Sequence, residues 1–286
     1  MENIVILNPK KLEKSKSTIS GDGADKLHIL ADFDRTLTCA FIKGQSTPSI
    51  IAILRDGSYL TPDYAKKAHK LYNKYHPIEI DPKIPIEKKK KTMNKWWKTH
   101  FDLLIKSRLN KKDLEKFVES KKIKFRHGVL ELIDFLKAHN IPLVIMSSSG
   151  LGSDIISMIL KKEGKLYDNV HIISNSYEWD ENGNMIAVRK PFIHTLNKDE
   201  TSVRDFPAFE VIKHRKNVLL LGDSLDDIGM IKGFDYDNLI NIGFLNENVE
   251  ENLEHYKKNY DVVILNDSSM DYVVRLLGDF FGIMRI

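Results

Sequence analysis

Short apolar runs rich in Val, Ile and Leu recur along the chain at 27–31 (LHILA), 141–146 (IPLVIM), 170–174 (VHIIS), 217–221 (NVLLL), 239–244 (LINIGF) and 261–265 (DVVIL). Runs of this length and composition read as strands buried on both faces. Helical patterns lie between several of them, for example at 128–137 before the second run and 151–162 after it. Strands alternating with helices predict an α/β fold, a Rossmann-like doubly wound core with a parallel sheet between helix layers.

Between residue 41 and about residue 125 the pattern changes. Strand-like runs become scarce, and lysine-rich, helix-favouring segments such as 64–75 and 88–109 take over. The expected organisation is therefore a core built from residues 1–40 and 126–286, interrupted by a helical cap at 41–125. The charge run at 87–91 (EKKKK) reads as a solvated helix face.

Composition narrows the class without choosing a function. In 286 residues, 42% are hydrophobic and 29% charged, which suits a folded globular protein that buries a sizeable core. The net charge of +4 is too small for a nucleic-acid-binding surface. Cys39 is the single cysteine, so no intramolecular disulfide forms, and no Cys/His spacing suggests zinc. Apolar runs are too short for a signal-peptide core or a membrane-spanning helix. The expectation is a cytoplasmic, soluble monomer with a small-molecule substrate, no nucleic-acid partner and no membrane partner.

The chemistry lies where the apolar runs end. The first run leads directly into Asp32 and Asp34 in DFDRTLT, at the carboxyl end of a buried strand, where open α/β sheets bind ligands. Two carboxylates so close repel and are costly to desolvate unless a cation neutralises them or one holds a proton. Magnesium suits such oxygen ligands. An isolated DxD is more often a turn cap. The whole string, however, matches the first motif of the haloacid dehalogenase superfamily.

Later strand ends extend the pattern. IPLVIM ends in Ser147 and Ser148, whose hydroxyls can bond a phosphoryl oxygen. NVLLL delivers GDSLDD, in which Asp223 suits magnesium and Asp227, one helical turn on, suits a metal-bound water or the orientation of a lysine. Chemistry alone leaves Lys198, Lys190 and Arg189 equally suited to screen charge on a transferring phosphoryl group.

In this order the motifs, with KYHPIEIDP at 74–82, DENG at 180–183, IHTLNK at 193–198 and IGFLN at 242–246, resemble the cytosolic pyrimidine 5'-nucleotidase family nearly end to end. The resemblance implies a magnesium-dependent phosphomonoesterase acting on nucleoside 5'-monophosphates, with pyrimidines preferred, through an aspartyl-phosphate. It places the nucleophile on Asp32, the acid on Asp34, the active-site lysine on Lys198 and the phosphate-binding serine on Ser147, with Ser148 as the alternative. The metal site falls on Asp32, Asp34, Asp223 and Asp227, and the cap's substrate-contacting glutamate on Glu79. KWWKTH at 95–100 offers Thr99 or His100 as a further substrate contact, and Trp96 or Trp97 as a surface for the base.

The rival readings are a sugar-phosphate phosphatase or a nucleoside phosphotransferase of the same superfamily. A hydrolytic dehalogenase has no use for Asp34, and a receiver-type signalling module lacks both that acid and a large cap.

Overall fold

A computed structural model describes residues 3–57, 59–198, 206–232 and 235–282. The chain opens with β1 (Ile4–Ile6), α1 (Pro9–Asp22) and β2 (Leu27–Ala31). A hairpin of β3 (Phe41–Ile42) and β4 (Gln45–Ser46) leads into α2 (Ile50–Asp56), α3 (Tyr64–Ile80), α4 (Ile86–Lys106) and α5 (Lys111–Glu119). Next come α6 (Val129–Ala138), β5 (Leu143–Met146), α7 (Gly152–Lys162) and β6 (Val170–Ile173), followed by a hairpin of β7 (Tyr177–Trp179) and β8 (Met185–Val188). The described chain closes with α8 (Pro207–Ile212), β9 (Asn217–Gly222), β10 (Asn238–Leu245), α9 (Val249–Lys257), β11 (Val262–Leu265) and α10 (Asp271–Phe281).

Seven strands form one sheet in the order β1-β11-β10-β9-β2-β5-β6, parallel except for β1. Every residue of β2, β5, β9 and β11 is buried, which is why these runs are continuously apolar. Successive side chains alternate between faces: Ile29 and Ala31 join the larger core cluster and Leu30 the smaller one beneath α8 and α9. All six apolar runs became strands, and the helices at 128–137 and 151–162 became α6 and α7.

Ile4–Ile6 is an edge strand antiparallel to β11, and Asn8 caps α1 by accepting from the Lys11 amide at 3.0 Å. Three residues are too few for a pattern to reveal a strand. DENG is the turn between β7 and β8, where the Asp180 side chain accepts from the amides of Asn182 and Asn184 at 2.9 and 2.8 Å.

Strand β2 lies between β9 and β5, so the chain departs on both sides of it, and the crevice at its carboxyl end is the natural ligand position. Helices α2 to α4 sit against that edge. Tyr64, Ala68, Phe101 and Leu104 belong to the same apolar cluster as Leu151 and Tyr177. Packing is tight at Gly150, where a Cβ would stand 2.9 Å from both Ile51 and Trp97. His100 bonds the Gly150 carbonyl through Nε2 at 3.2 Å, and the Tyr177 hydroxyl donates to the same oxygen at 2.5 Å.

One buried cation holds the loop that follows β2. Arg35 adopts a left-handed backbone (φ 63°), which costs a non-glycine residue about 1 kcal/mol or more. Its carbonyl accepts from Arg126 Nη2 at 2.5 Å and from Asn246 Nδ2 at 3.0 Å. Arg126 also donates to the Thr36 and Ser268 carbonyls at 2.8 and 2.7 Å, pairs with Asp267 at 2.9 Å and stacks on Phe244. Asp267 in turn accepts the amides of Ala40 and Phe41 at 2.9 and 2.8 Å. The pair thus ties together both chain connections between the core and the helical segment.

Arg126→Met should therefore destabilise the fold by about 3 kcal/mol or more, because it strands Asp267 and several carbonyls in the interior. Denaturant unfolding checks this, and a loss below about 1 kcal/mol would show that the clamp is dispensable.

Candidate active site

The carboxyl ends of β2, β5 and β9 bring the predicted residues together. Asp32 continues β2, and its amide donates to the Leu221 carbonyl at 3.0 Å. The chain then turns through Asp34 and Arg35, and the Thr38 hydroxyl accepts the Arg35 amide at 2.8 Å. Asp32, Asp34, Ser147, Ser148, Thr195, Lys198, Asp223 and Asp227 are among the residues lining one cavity of about 170 Å³.

Lys198 lines it, buried, with Nζ bonded to Asp32 Oδ1 and to Asp227 Oδ1, the latter at 2.9 Å. Of the three basic residues that sequence chemistry left open, Lys190 and Arg189 are exposed, and Lys198 is the one buried and paired at this cavity. Asp227 is fixed from the other side, because its Oδ2 accepts the amides of Asp223 and Ser224 at 3.2 and 3.0 Å. Gly222 makes room for it, since a Cβ there would meet Asp227 Cβ at 2.5 Å. The Tyr260 hydroxyl holds the Ser224 carbonyl at 2.6 Å, and Tyr256 holds that of Asp223.

Burial dominates the electrostatics. It pushes the Asp32 carboxyl up to about 7, with Lys198 opposing and Asp227 and Asp34 reinforcing the shift. It pushes Asp34 up to about 6, against the pull of Lys198, the Ile50 amide at the start of α2, and Arg35. Asp223 is likewise raised by burial and by Asp227 and Asp32. Burial alone would lower Lys198, but Asp227 and Asp32 outweigh it and hold the ammonium charged.

This arrangement suits a divalent cation. Asp32, Asp223 and Asp227 each present a carboxylate oxygen, all within 4.8 Å of one another. The cavity lining carries five aspartates against Lys198 and Arg35, and Arg35 is already paired with Glu247 at 2.7 Å. Hard oxygen donors with excess negative charge are magnesium chemistry. The Asp34 carboxylate lies outside that cluster, and both oxygens of Asp227 are committed to Lys198 and backbone amides, which leaves Asp32 and Asp223 as the freer donors.

A larger cavity of about 530 Å³ opens beside the first, and the two share Asp34, Arg35, Ser148 and Thr195. Tyr72, Trp96, Trp97, His76 and Glu79 from α3 and α4 line it. Trp96 stacks on Tyr75 and Trp97, and His76 on Tyr72. His100 also borders it, held neutral near pH 7 because burial lowers its pKa to about 4. Thr99 instead bonds the Lys95 carbonyl of its own helix at 2.8 Å.

Ser147 and Ser148 both border the small cavity, Ser147 buried and accepting the Ser149 amide at 3.1 Å, Ser148 reaching both cavities. Residues that the sequence reading missed tie these loops together. Asn175 is buried and donates to the Ser149 and Ile193 carbonyls at 3.1 and 2.9 Å, joining the serine loop to the lysine loop. The charge run at 87–91 is only partly a solvated face. Lys89 and Lys90 are half-buried, and Lys90 borders a further cavity with Lys198 and Asp226.

Comparison with known proteins identifies the family. The family model for pyrimidine 5'-nucleotidase (UMPH-1) matches residues 35–280. A 7-methylguanosine phosphate-specific 5'-nucleotidase A from Xenopus laevis is 34% identical over 277 residues, covering 96% of this chain and 95% of its own. The 7-methylguanosine phosphate-specific 5'-nucleotidase of Homo sapiens is 32% identical, covering 96% of this chain and 91% of its own. The crystal structure of cytosolic 5'-nucleotidase IIIB bound to cytidine superposes with a TM-score of 0.86 at 26% identity, covering 99% of this chain and 95% of that one. A HAD family hydrolase from Salmonella enterica shares the fold at a TM-score of 0.56 and 13% identity, covering 95% of this chain and 81% of that one.

The raised carboxyls predict how stability depends on pH. Unfolded aspartate titrates near 4, whereas Asp34 and Asp32 titrate near about 6 and 7 in the fold, so over that interval the native state binds more protons. Stability in the presence of a chelator should therefore fall as pH rises from about 5 to 7.5, and the fall should be shallower in Asp32→Asn. Magnesium should restore stability at the upper end. Thermal unfolding checks both, and a flat profile shared by wild type and Asp32→Asn would contradict the assignment.

Proposed function

This chain belongs to the pyrimidine 5'-nucleotidase family, whose fold is that of haloacid dehalogenase-type phosphatases, and we propose that it hydrolyses nucleoside 5'-monophosphates with magnesium and with Asp32 as nucleophile. The observation that carries the reading is the junction of two cavities of different chemistry. The smaller is acidic, with a buried lysine, and of phosphate size. The larger, walled by aromatic rings, is of nucleoside size.

In the proposed reaction an Asp32 oxygen attacks phosphorus in line as the bond to O5' breaks, and Asp34 gives its proton to the departing alkoxide. The rise of Asp34 to about 6 keeps more of that proton available toward neutral pH than an ordinary aspartate would hold. Water then attacks the aspartyl-phosphate, Asp34 takes a proton from it, and Asp32 is regenerated with release of phosphate. Lys198 offsets the charge on the phosphoryl oxygens, with Asp227 holding it in place, and the Ser147 hydroxyl donates to one of those oxygens. Asp32 and Asp223 would hold magnesium, which would supply positive charge to reduce repulsion between nucleophile and phosphate.

Residues 41–125 act as the specificity cap. Because the core cavity reads only phosphate, discrimination falls to the aromatic wall and Glu79. Cytosine, uracil and guanine all present ring or exocyclic N–H groups that a carboxylate accepts. The aromatic wall, with Glu79 beside it, also favours a base bearing positive charge, through cation–π attraction. That favours 7-methylguanosine monophosphate as a second substrate beside the pyrimidine nucleotides, in keeping with the names of the Xenopus and human relatives.

Phosphate release from UMP, CMP, AMP, GMP, 7-methyl-GMP and sugar phosphates, with and without magnesium, tests the reading. Magnesium-dependent release is expected from CMP, UMP and 7-methyl-GMP, with sugar phosphates lower by about tenfold or more. Sugar phosphates turned over as well as nucleotides would overturn it. Within this framework Glu79→Ala should cost about tenfold in kcat/KM on nucleotides and little on a small aryl phosphate. A uniform loss on both would make Glu79 a structural residue.

A further inference from the structure

Glu79 lies in the last turn of α3, where the helix dipole disfavours a negative charge. Two donors hold it there. The Thr195 hydroxyl donates to Oε1 at 2.7 Å, and Oε2 lies 3.1 Å from His76 Nδ1. The first bond joins the helical segment to the core across 116 residues of sequence. Thr195 itself opens the short turn Thr195–Asn197, which leads directly into Lys198.

That turn is stiff for reasons independent of Glu79. The His194 amide donates to Asn197 Oδ1 at 2.7 Å, the Leu196 amide to His194 Nδ1 at 3.2 Å, and Asn197 Nδ2 to the Phe192 carbonyl at 2.8 Å. Asn175 anchors Ile193 just before it, donating to its carbonyl at 2.9 Å and accepting its amide at 2.9 Å. A hydroxyl on such a mount is a fixed reference point. Thr195 also borders both cavities, at the junction where a nucleotide's phosphate and nucleoside portions would meet.

We infer that Thr195 is a positioning residue for nucleoside selectivity: its hydroxyl aims the Glu79 carboxylate into the aromatic cavity at a set distance from Lys198. A carboxylate has about four lone-pair sites, so Thr195 and His76 leave acceptor capacity for a base. Without the hydroxyl, Glu79 keeps its charge but loses its aim, and the acceptor no longer stays in register with a phosphate held in the smaller cavity. The inference rests on the nucleotidase reading and adds to it a residue that acts through Glu79.

The test compares Thr195→Val, which removes the hydroxyl at nearly constant shape, with Thr195→Ser, which keeps it. The readout is the ratio of kcat/KM for CMP to that for p-nitrophenyl phosphate, in wild type, both variants, Glu79→Ala and the Glu79→Ala/Thr195→Val double variant. Thr195→Val should lower that ratio by about tenfold, mainly through KM for CMP, and Thr195→Ser should restore it. The double variant should be no worse than Glu79→Ala alone, because the two residues act through one contact. An unchanged ratio in Thr195→Val, or losses that multiply in the double variant, would overturn the inference. A wild type that cleaves p-nitrophenyl phosphate but not CMP, UMP or 7-methyl-GMP would overturn the nucleotidase reading and this inference with it, whereas failure confined to Thr195→Val leaves that reading standing.

Discussion

A single ammonium placed between two buried carboxylates sets the conditions for everything around it. Lys198 joins Asp32 and Asp227 where the sheet ends, and none of the three could remain charged there alone. The surrounding structure supplies what that arrangement demands. Backbone amides hold Asp227, tyrosine hydroxyls hold the loop that presents those amides, and Gly222 leaves the space. Even so, negative charge remains in excess, and this surplus makes a divalent cation the natural complement of the site.

The same constraint bears on what the helical segment at 41–125 can contribute. A cavity lined by rigid buried charge has little freedom to accommodate other chemistry. On the proposed function, selectivity falls to a second cavity built from different elements and joined to the first along a narrow front of Asp34, Arg35, Ser148 and Thr195. The joint is polar and specific: Glu79 with Thr195 on one side, His100 with Gly150 on the other. Arg126 and Asp267 brace the covalent connections at its base.

Much of this was legible in the residues because burial leaves a mark on composition. Strands covered on both faces must be apolar throughout, so β2, β5 and β9 stood out, and the aspartates directly after two of them were conspicuous for the same reason. What escaped were residues whose role depends on partners distant in sequence. Arg126 is one basic residue among 44 until Asp267 and the Arg35 carbonyl are seen around it. Asn175 carries no motif, Thr195 sits in IHTLNK with nothing there to show its partner, and their contacts span 18 to 116 residues. The lysines at 89 and 90 looked like a solvated stripe because the charge pattern of a helix does not say which face meets a neighbouring loop.

The proposed reaction passes the phosphoryl group through Asp32. Its most direct measurement is acid quenching of the protein during turnover of a nucleoside 5'-monophosphate in magnesium, followed by peptide mass spectrometry with and without hydroxylamine. The account predicts a phosphate adduct on the peptide containing Asp32, discharged by hydroxylamine as an acyl phosphate must be. A phosphate found on a serine or histidine, stable to hydroxylamine, would contradict it.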